Sequence, residues 1–231
     1  MSKKIFILHG WAYSTEKWKP LINLLENANY EVVMLEIPGL TASIDRPWTM
    51  DDYVQWLYGK LENEKDSILL GHSNGGRITL AYASRHPERI KHLVLIDSAG
   101  IRHNNPLIRL KRLVFKGLAK VGKLFLYSET SRSLLYKIVG ESDYNKATPV
   151  MKKTMEYLIA QDLSPLLPAI KTPTLIIWGE KDTSTPLSDG VKMNSLIKKS
   201  QIFSLPLAGH SPQFTHPEIV ADKVLEFISK S

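Results

Sequence analysis

Ser73 sits at the centre of Gly71-His72-Ser73-Asn74-Gly75-Gly76, and its neighbours favour a nucleophile there. The apolar-leaning run Ser67 to Leu70 leads in, and a helical pattern leads out. A tight strand-to-helix turn holds its central residue in a strained conformation with the hydroxyl exposed, and larger neighbours would collide. The pattern G-x-S-x-G alone is weak, since the same residues also suit an ordinary glycine-rich turn, so its context carries the weight. A serine hydroxyl needs a base, and the base needs a group to orient it. Thr174 to Trp178 reads as a strand running into Gly179-Glu180-Lys181-Asp182, which puts Asp182 in a loop at a strand's carboxyl end. Leu207-Ala208-Gly209-His210 puts His210 in the loop after the last strand. In these roles His210 takes the Ser73 proton and returns it to the leaving group, while Asp182 fixes the imidazole tautomer and stabilises its cation.

Acyl chemistry also requires donors for the oxyanion that develops on the carbonyl oxygen. The backbone amide of Asn74, at the start of a helix, is one candidate. The amide of Trp11 is the other, because Gly10 lets the backbone turn sharply after the first strand. The Trp11 ring either walls the acyl pocket or packs as an ordinary aromatic. Asp97 also ends a strand and is the alternative acid. Glu180 and Asp189 read as surface charges, His216 as the cap or start of the last helix, and His9 and His72 as structural histidines near the site.

These residues need a frame. Apolar runs at Lys4 to Leu8, Tyr30 to Ile37, Ser67 to Leu70, Ile90 to Ile96, Pro173 to Trp178 and Ser200 to Leu205 read as strands. Helical spacing occupies Trp18 to Glu26, Asp51 to Leu61, Arg77 to Ser84, Leu187 to Ile197 and Pro217 to Ile228. Apolar strands alternating with helices indicate an α/β fold, a parallel sheet covered on both faces. From Gly100 to Pro168 the strand pattern disappears. Pro106 to Phe125, Tyr136 to Val139 and Met151 to Ile159 read as helices, so the expected organisation is a core of residues 1–100 and 168–231 with a helical cap at 101–167.

The 231 residues suit one domain with an insertion. There is no cysteine, which excludes disulfides and thiol nucleophiles. The apolar run at the N-terminus is too short for a signal-peptide core, and no stretch approaches the roughly twenty apolar residues of a membrane span. A cytoplasmic protein without a transmembrane segment is expected, with no nucleic-acid partner. The formal charge of +7 is unevenly placed: residues 102–153 hold twelve Lys or Arg against Glu129, Glu141 and Asp143, a net +9, leaving −2 for the rest. Such a block is either a solvated helical face or an attraction for an acidic partner, phosphate or a membrane surface.

Read together, His9-Gly10-Trp11, Pro38-Gly39, Gly71 to Gly76, Trp178 to Asp182 and Gly209-His210 resemble the α/β-hydrolase superfamily. The resemblance is to its small group of carboxylesterases, carbon-carbon bond hydrolases and pimeloyl-carrier-protein methyl esterases, and it covers residues 4–100 and 168–231. It implies a mostly parallel sheet of about eight strands, a helical cap over the site, no cofactor, and a two-step acyl-enzyme mechanism; no metal is expected either, since no residues have convincing metal-ligand spacing. Serine at position 73 argues against the branches that place aspartate there, the haloalkane dehalogenases and epoxide hydrolases. The stretch Glu36 to Ser43 keeps only part of the family's Asp-x-x-Gly-x-Gly-x-Ser, so the loop near the pocket is expected to differ. The leading reading is a serine carboxylesterase acting on small to medium acyl chains. Alternatives are an esterase or thioesterase for acyl groups on an acidic carrier protein or coenzyme A docked on the basic cap, a carbon-carbon bond hydrolase, and a non-catalytic ligand- or membrane-surface-binding protein.

Overall fold

The computed structural model describes residues 3–12, 14–102 and 147–230. The expected helices at Pro106 to Phe125 and Tyr136 to Val139 lie outside the described residues, as does most of the expected cap.

Each of the six apolar runs forms a strand: β1 (Lys3–Leu8), β2 (Tyr30–Met34), β3 (Ser67–His72), β4 (Ile90–Ile96), β5 (Thr174–Gly179) and β6 (Ser200–Leu205). They make one sheet in the order β2-β1-β3-β4-β5-β6, with every pairing parallel. The expectation of about eight strands is therefore corrected to six among the described residues. The surplus came from the family resemblance, whereas the hydropathy of the chain marks only these six runs.

Alternation along the strands explains why the sheet is covered twice. Phe6, Leu8, Leu69, Leu93, Leu95, Ile176 and Trp178 face one core. Their neighbours Ile5, Ile7, Ile68, Leu70, Val94, Ile96, Leu175 and Ile177 face the other. The first core is closed by α2 (Met50–Lys60), α3 (Asn74–Arg85), α4 (Pro149–Ala160) and α5 (Leu187–Leu196), through Tyr53, Leu57, Ile78, Met151, Met155, Leu158 and Met193. The second is closed by α1 (Lys19–Asn27) and α7 (Pro217–Ser229), through Leu21, Leu25, Val220, Val224 and Ile228. A one-turn helix, α6 (Pro212–Thr215), precedes α7.

Helix α4 begins where the sequence signals a start: Thr148 caps it by accepting from the Met151 amide at 3.1 Å, and Pro149 follows. Although it belongs to the segment expected as a cap, its apolar face is continuous with that of α2 and α3. Its C-terminal end is tied down by two guanidinium groups. Arg77 of α3 donates from Nη1 to the carbonyls of Leu158 (2.7 Å) and Gln161 (3.0 Å), and Arg102 donates to that of Ala160 (2.9 Å).

Strand order reverses direction between β1 and β3, and the carboxyl edge at such a switch point is the usual ligand position in an open α/β sheet. Among the described residues no helix is long and apolar enough to cross a membrane.

Candidate active site

Ser73 links β3 to α3 with φ 52° and ψ −116°, in the region that side chains other than glycine rarely adopt. Its carbonyl accepts from the amides of Arg77 (3.1 Å) and Ala99 (2.9 Å), and its own amide donates to Ile96 (3.1 Å), so the strained turn is pinned from the neighbouring strand and helix. The small residues predicted around the serine are sterically required: a Cβ at Gly75 would collide with the Leu8 carbonyl, and one at Gly71 would lie 2.7 Å from the Gly76 Cα.

His210 reaches this turn from the loop after β6. Its Nε2 lies 3.0 Å from Ser73 Oγ and its Nδ1 lies 2.7 Å from Asp182 Oδ2. An ionised carboxylate only accepts, so Nδ1 carries the proton and Nε2 is left to accept from the Ser73 hydroxyl. Ser73, Asp182 and His210, chosen from distant parts of the chain, are thus brought into one hydrogen-bonded series.

Asp182 is held by its own turn. Oδ1 accepts from the amides of Ser184 (2.7 Å) and Thr185 (3.0 Å), and Oδ2 accepts from the Thr185 hydroxyl (2.7 Å) as well as from His210. Burial pushes this carboxyl up, but the hydrogen bonds from His210 and Thr185 outweigh it and hold Asp182 below the usual carboxylate range. It is therefore an anion over the range in which a histidine base works. Thr185 escaped the sequence reading; an aspartate followed three residues later by threonine, just before Pro186, was the available signal.

His72 and His9, beside the site, make loop-fastening contacts. His72 Nε2 donates to the His210 carbonyl at 2.7 Å, fastening the histidine loop to the nucleophile turn. Burial, followed by the proximity of His210, pushes His72 down to about 3, so it stays neutral. His9 contacts Thr41 Oγ1 at 3.1 Å, and the same hydroxyl accepts from the Ile37 amide at 2.8 Å. These bonds organise the loop after β2, where the family pattern is only partly kept. His216 precedes Pro217 at the start of α7, with its ring on Thr215 Oγ1 (2.8 Å) and no cap made by its side chain.

The expectation that Asp189 is a surface charge is wrong. It is 3 % exposed, in the first turn of α5, where Gly190 allows the helix to press onto the Trp178 ring. Glu180 is exposed, as expected.

Gly10 lies directly against the site: a Cβ there would come 3.0 Å from that of Ser73 and 3.1 Å from His72 Nδ1. The Trp11 amide follows immediately, and its ring packs against the first core. Asn74 is the first residue of α3, so its amide has no acceptor within the helix.

One group of possible metal ligands occurs among the described residues, with His72, Asp97 and His210 offering atoms within 4.8 Å of one another. Both ring nitrogens of His210 are already engaged by Ser73 and Asp182, so an ion there would have to break the series that defines the site.

The chain is similar to known proteins over most of its length. A family model described as the alpha/beta hydrolase fold matches residues 4–138 and 140–217. The 2-hydroxy-6-oxononadienedioate/2-hydroxy-6-oxononatrienedioate hydrolase 1 of Pseudomonas putida is 27% identical, covering 95% of this chain and 83% of that protein. The pimeloyl-[acyl-carrier protein] methyl ester esterase of Pseudoalteromonas atlantica is 25% identical, covering 92% of this chain and 89% of that protein. In fold, the enol-lactonase of Burkholderia xenovorans superposes with a TM-score of 0.73 at 19% identity, covering 99% and 92% of the two chains. With the family's pattern running from the first strand into the last helix, the chain belongs to the α/β-hydrolase fold family.

Proposed function

We propose that the protein is a serine hydrolase that cleaves carboxylic esters of small to medium acyl chains through an acyl-enzyme on Ser73. The observation that carries this reading is the single imidazole shared by a hydroxyl at 3.0 Å and a carboxylate at 2.7 Å. The Ser73 oxygen attacks the substrate carbonyl carbon as its proton passes to His210 Nε2, and the carbonyl oxygen becomes an oxyanion facing the amides of Trp11 and Asn74. Collapse breaks the bond to the leaving alcohol, which takes the proton from His210. A water molecule then gives a proton to His210 and attacks the acyl-serine, freeing the carboxylic acid and restoring Ser73. Asp182 remains ionised throughout and stabilises the imidazolium.

A second reading keeps the chemistry and changes the carrier: the acyl ester or thioester arrives on an acidic carrier protein or coenzyme A. Two facts favour it, the net +9 carried by residues 102–153 and the carrier-protein substrate named for one relative.

The test is a series of p-nitrophenyl esters of graded chain length beside acyl thioesters and a carbon-carbon cleavage substrate, given to the wild type and to Ser73→Ala. Ester hydrolysis falling by about four orders of magnitude or more in the variant is expected. Hydrolysis of the carbon-carbon substrate alone would overturn the ester assignment, and equal rates in both proteins would overturn the serine mechanism.

A further inference from the structure

A second carboxyl closes on the His210 ring. Asp97 follows the last residue of β4, beside the end of β5 from which the Asp182 turn departs. Its side chain is wholly buried, and its backbone is held at φ 41° while its amide donates to the Ile177 carbonyl at 3.0 Å. One carboxyl oxygen, Oδ1, accepts from the Gly179 amide at 2.8 Å; the other, Oδ2, is buried and receives no donor among the described residues, and the protonated carboxyl shares a side-chain hydrogen bond with Asp182. An Asp97 oxygen and a ring nitrogen of His210 lie within 4.8 Å of each other. Thr185 links the two acids, with its hydroxyl 2.7 Å from Asp182 Oδ2 and 3.2 Å from the Asp97 carbonyl oxygen.

We propose that Asp97 is a second positioning carboxyl for His210, able to take over the orienting role of Asp182 when that side chain is neutralised. This rests on the serine-hydrolase reading and deepens it. A carboxylate whose second oxygen is buried without a donor is expensive, so the group avoids ionising. Burial pushes Asp97 up to about 8; the nearby Asp182 charge adds to this, and the Gly179 amide opposes it. The titratable groups facing Asp97 are Asp182 from the loop after β5, His210 from the loop after β6 and His72 at the end of β3. With Asp182 ionised, two adjacent anions are avoided by leaving the proton on Asp97. With Asp182 replaced by a neutral amide, one reason for holding that proton disappears. Asp97 can then ionise beside the imidazole and stabilise its cation across a short rotation of the ring.

The experiment compares Asp182→Asn with the double variant Asp97→Asn/Asp182→Asn, measuring kcat/KM for a p-nitrophenyl ester from about pH 5.5 to 9. Asparagine at 97 keeps the acceptor for Gly179 and imitates the protonated acid. The two variants should agree at the acid end, and the single variant should exceed the double by about tenfold or more at the alkaline end. A constant ratio across the range, as a purely structural role would give, or coincident profiles, would overturn the proposal. Should the double variant fail to fold, the single variant decides. Its log kcat/KM should begin in acid with a slope of one, as His210 alone loses a proton, and steepen towards two over the range where Asp97 ionises as well; a slope that never exceeds one would overturn the proposal. If the wild type neither hydrolyses esters nor accepts an organophosphonate on Ser73, the parent reading fails and the inference with it. An active wild type with coincident variants sinks only the role of Asp97.

Discussion

Single residues here are held by partners far away in the chain. His72 shows how positioning and stability trade against each other: its ring fastens the histidine loop, but burial forbids its charge. The unfolded chain binds a proton at this ring below its ordinary 6.5, whereas the folded chain does so only near 3. More protons are therefore bound in the unfolded state between those values, and stability falls as the pH drops through the window. Each pH unit in it should cost about 1.4 kcal/mol. His72→Gln, whose amide can still donate towards the His210 carbonyl, should flatten the acid side of a denaturation-against-pH curve. An unchanged slope would show that the ring titrates freely. Asp182 has the opposite charge type and the same sense, since its depressed carboxyl adds stability above its unfolded value and loses it as the pH falls through the folded one. At this scale the sequence was most informative for Ser73, Asp182 and His210, because each sits in a turn whose small residues announce the geometry. It was least informative for Thr185 and Asp189. The first acts through a turn that many Asp-x-x-Thr segments could form, and the burial of the second depends on how closely α5 approaches Trp178, which local composition does not record.

Among elements, strand positions were readable because a buried parallel strand must be apolar on both faces. The exception is β2, which ends at Met34 although the apolar pattern continues to Ile37. It is an edge strand with one neighbour, and its extension is drawn away into the loop that Thr41 and Gly39 organise. Family resemblance implies about eight strands, whereas the hydropathy pattern marks six, the number found among the described residues. The tie between α3 and α4 could not be seen in the sequence at all, since Arg77 looks like an ordinary solvated position one turn beyond the nucleophile. In the fold Arg77 is 7 % exposed, and its guanidinium donates to carbonyls at the end of α4. Burial pushes it down to about 10, still far above neutrality, so it remains a cation. Arg77→Met should strip the Gln161 carbonyl of its side-chain donor and leave the Leu158 carbonyl with only the Gln161 amide, at about 1–3 kcal/mol in all. Hydrogen exchange should then accelerate in residues 149–161 more than in the strands, and uniform protection across both would count against the tie.

For the whole molecule, the uneven distribution of charge is the feature with functional reach. A chain that is nearly neutral outside residues 102–153 and strongly basic within them concentrates its attraction for anions in one segment. If an acidic carrier protein docks there, turnover of a carrier-linked acyl ester should fall about tenfold or more between roughly 0.02 and 0.3 M salt. Hydrolysis of a neutral p-nitrophenyl ester should barely change over the same range. Equal responses of the two substrates would assign the basic segment to solvation alone.

The most direct measurement is the reaction of the folded protein with a fluorinated alkylphosphonate, followed by intact mass and peptide mapping. If His210 activates the Ser73 hydroxyl, one phosphonate is added per chain, it maps to Ser73, and His210→Ala slows its addition by orders of magnitude. No adduct, an adduct on a different serine, or labelling of Ser73 at the same rate without the imidazole would contradict the assignment.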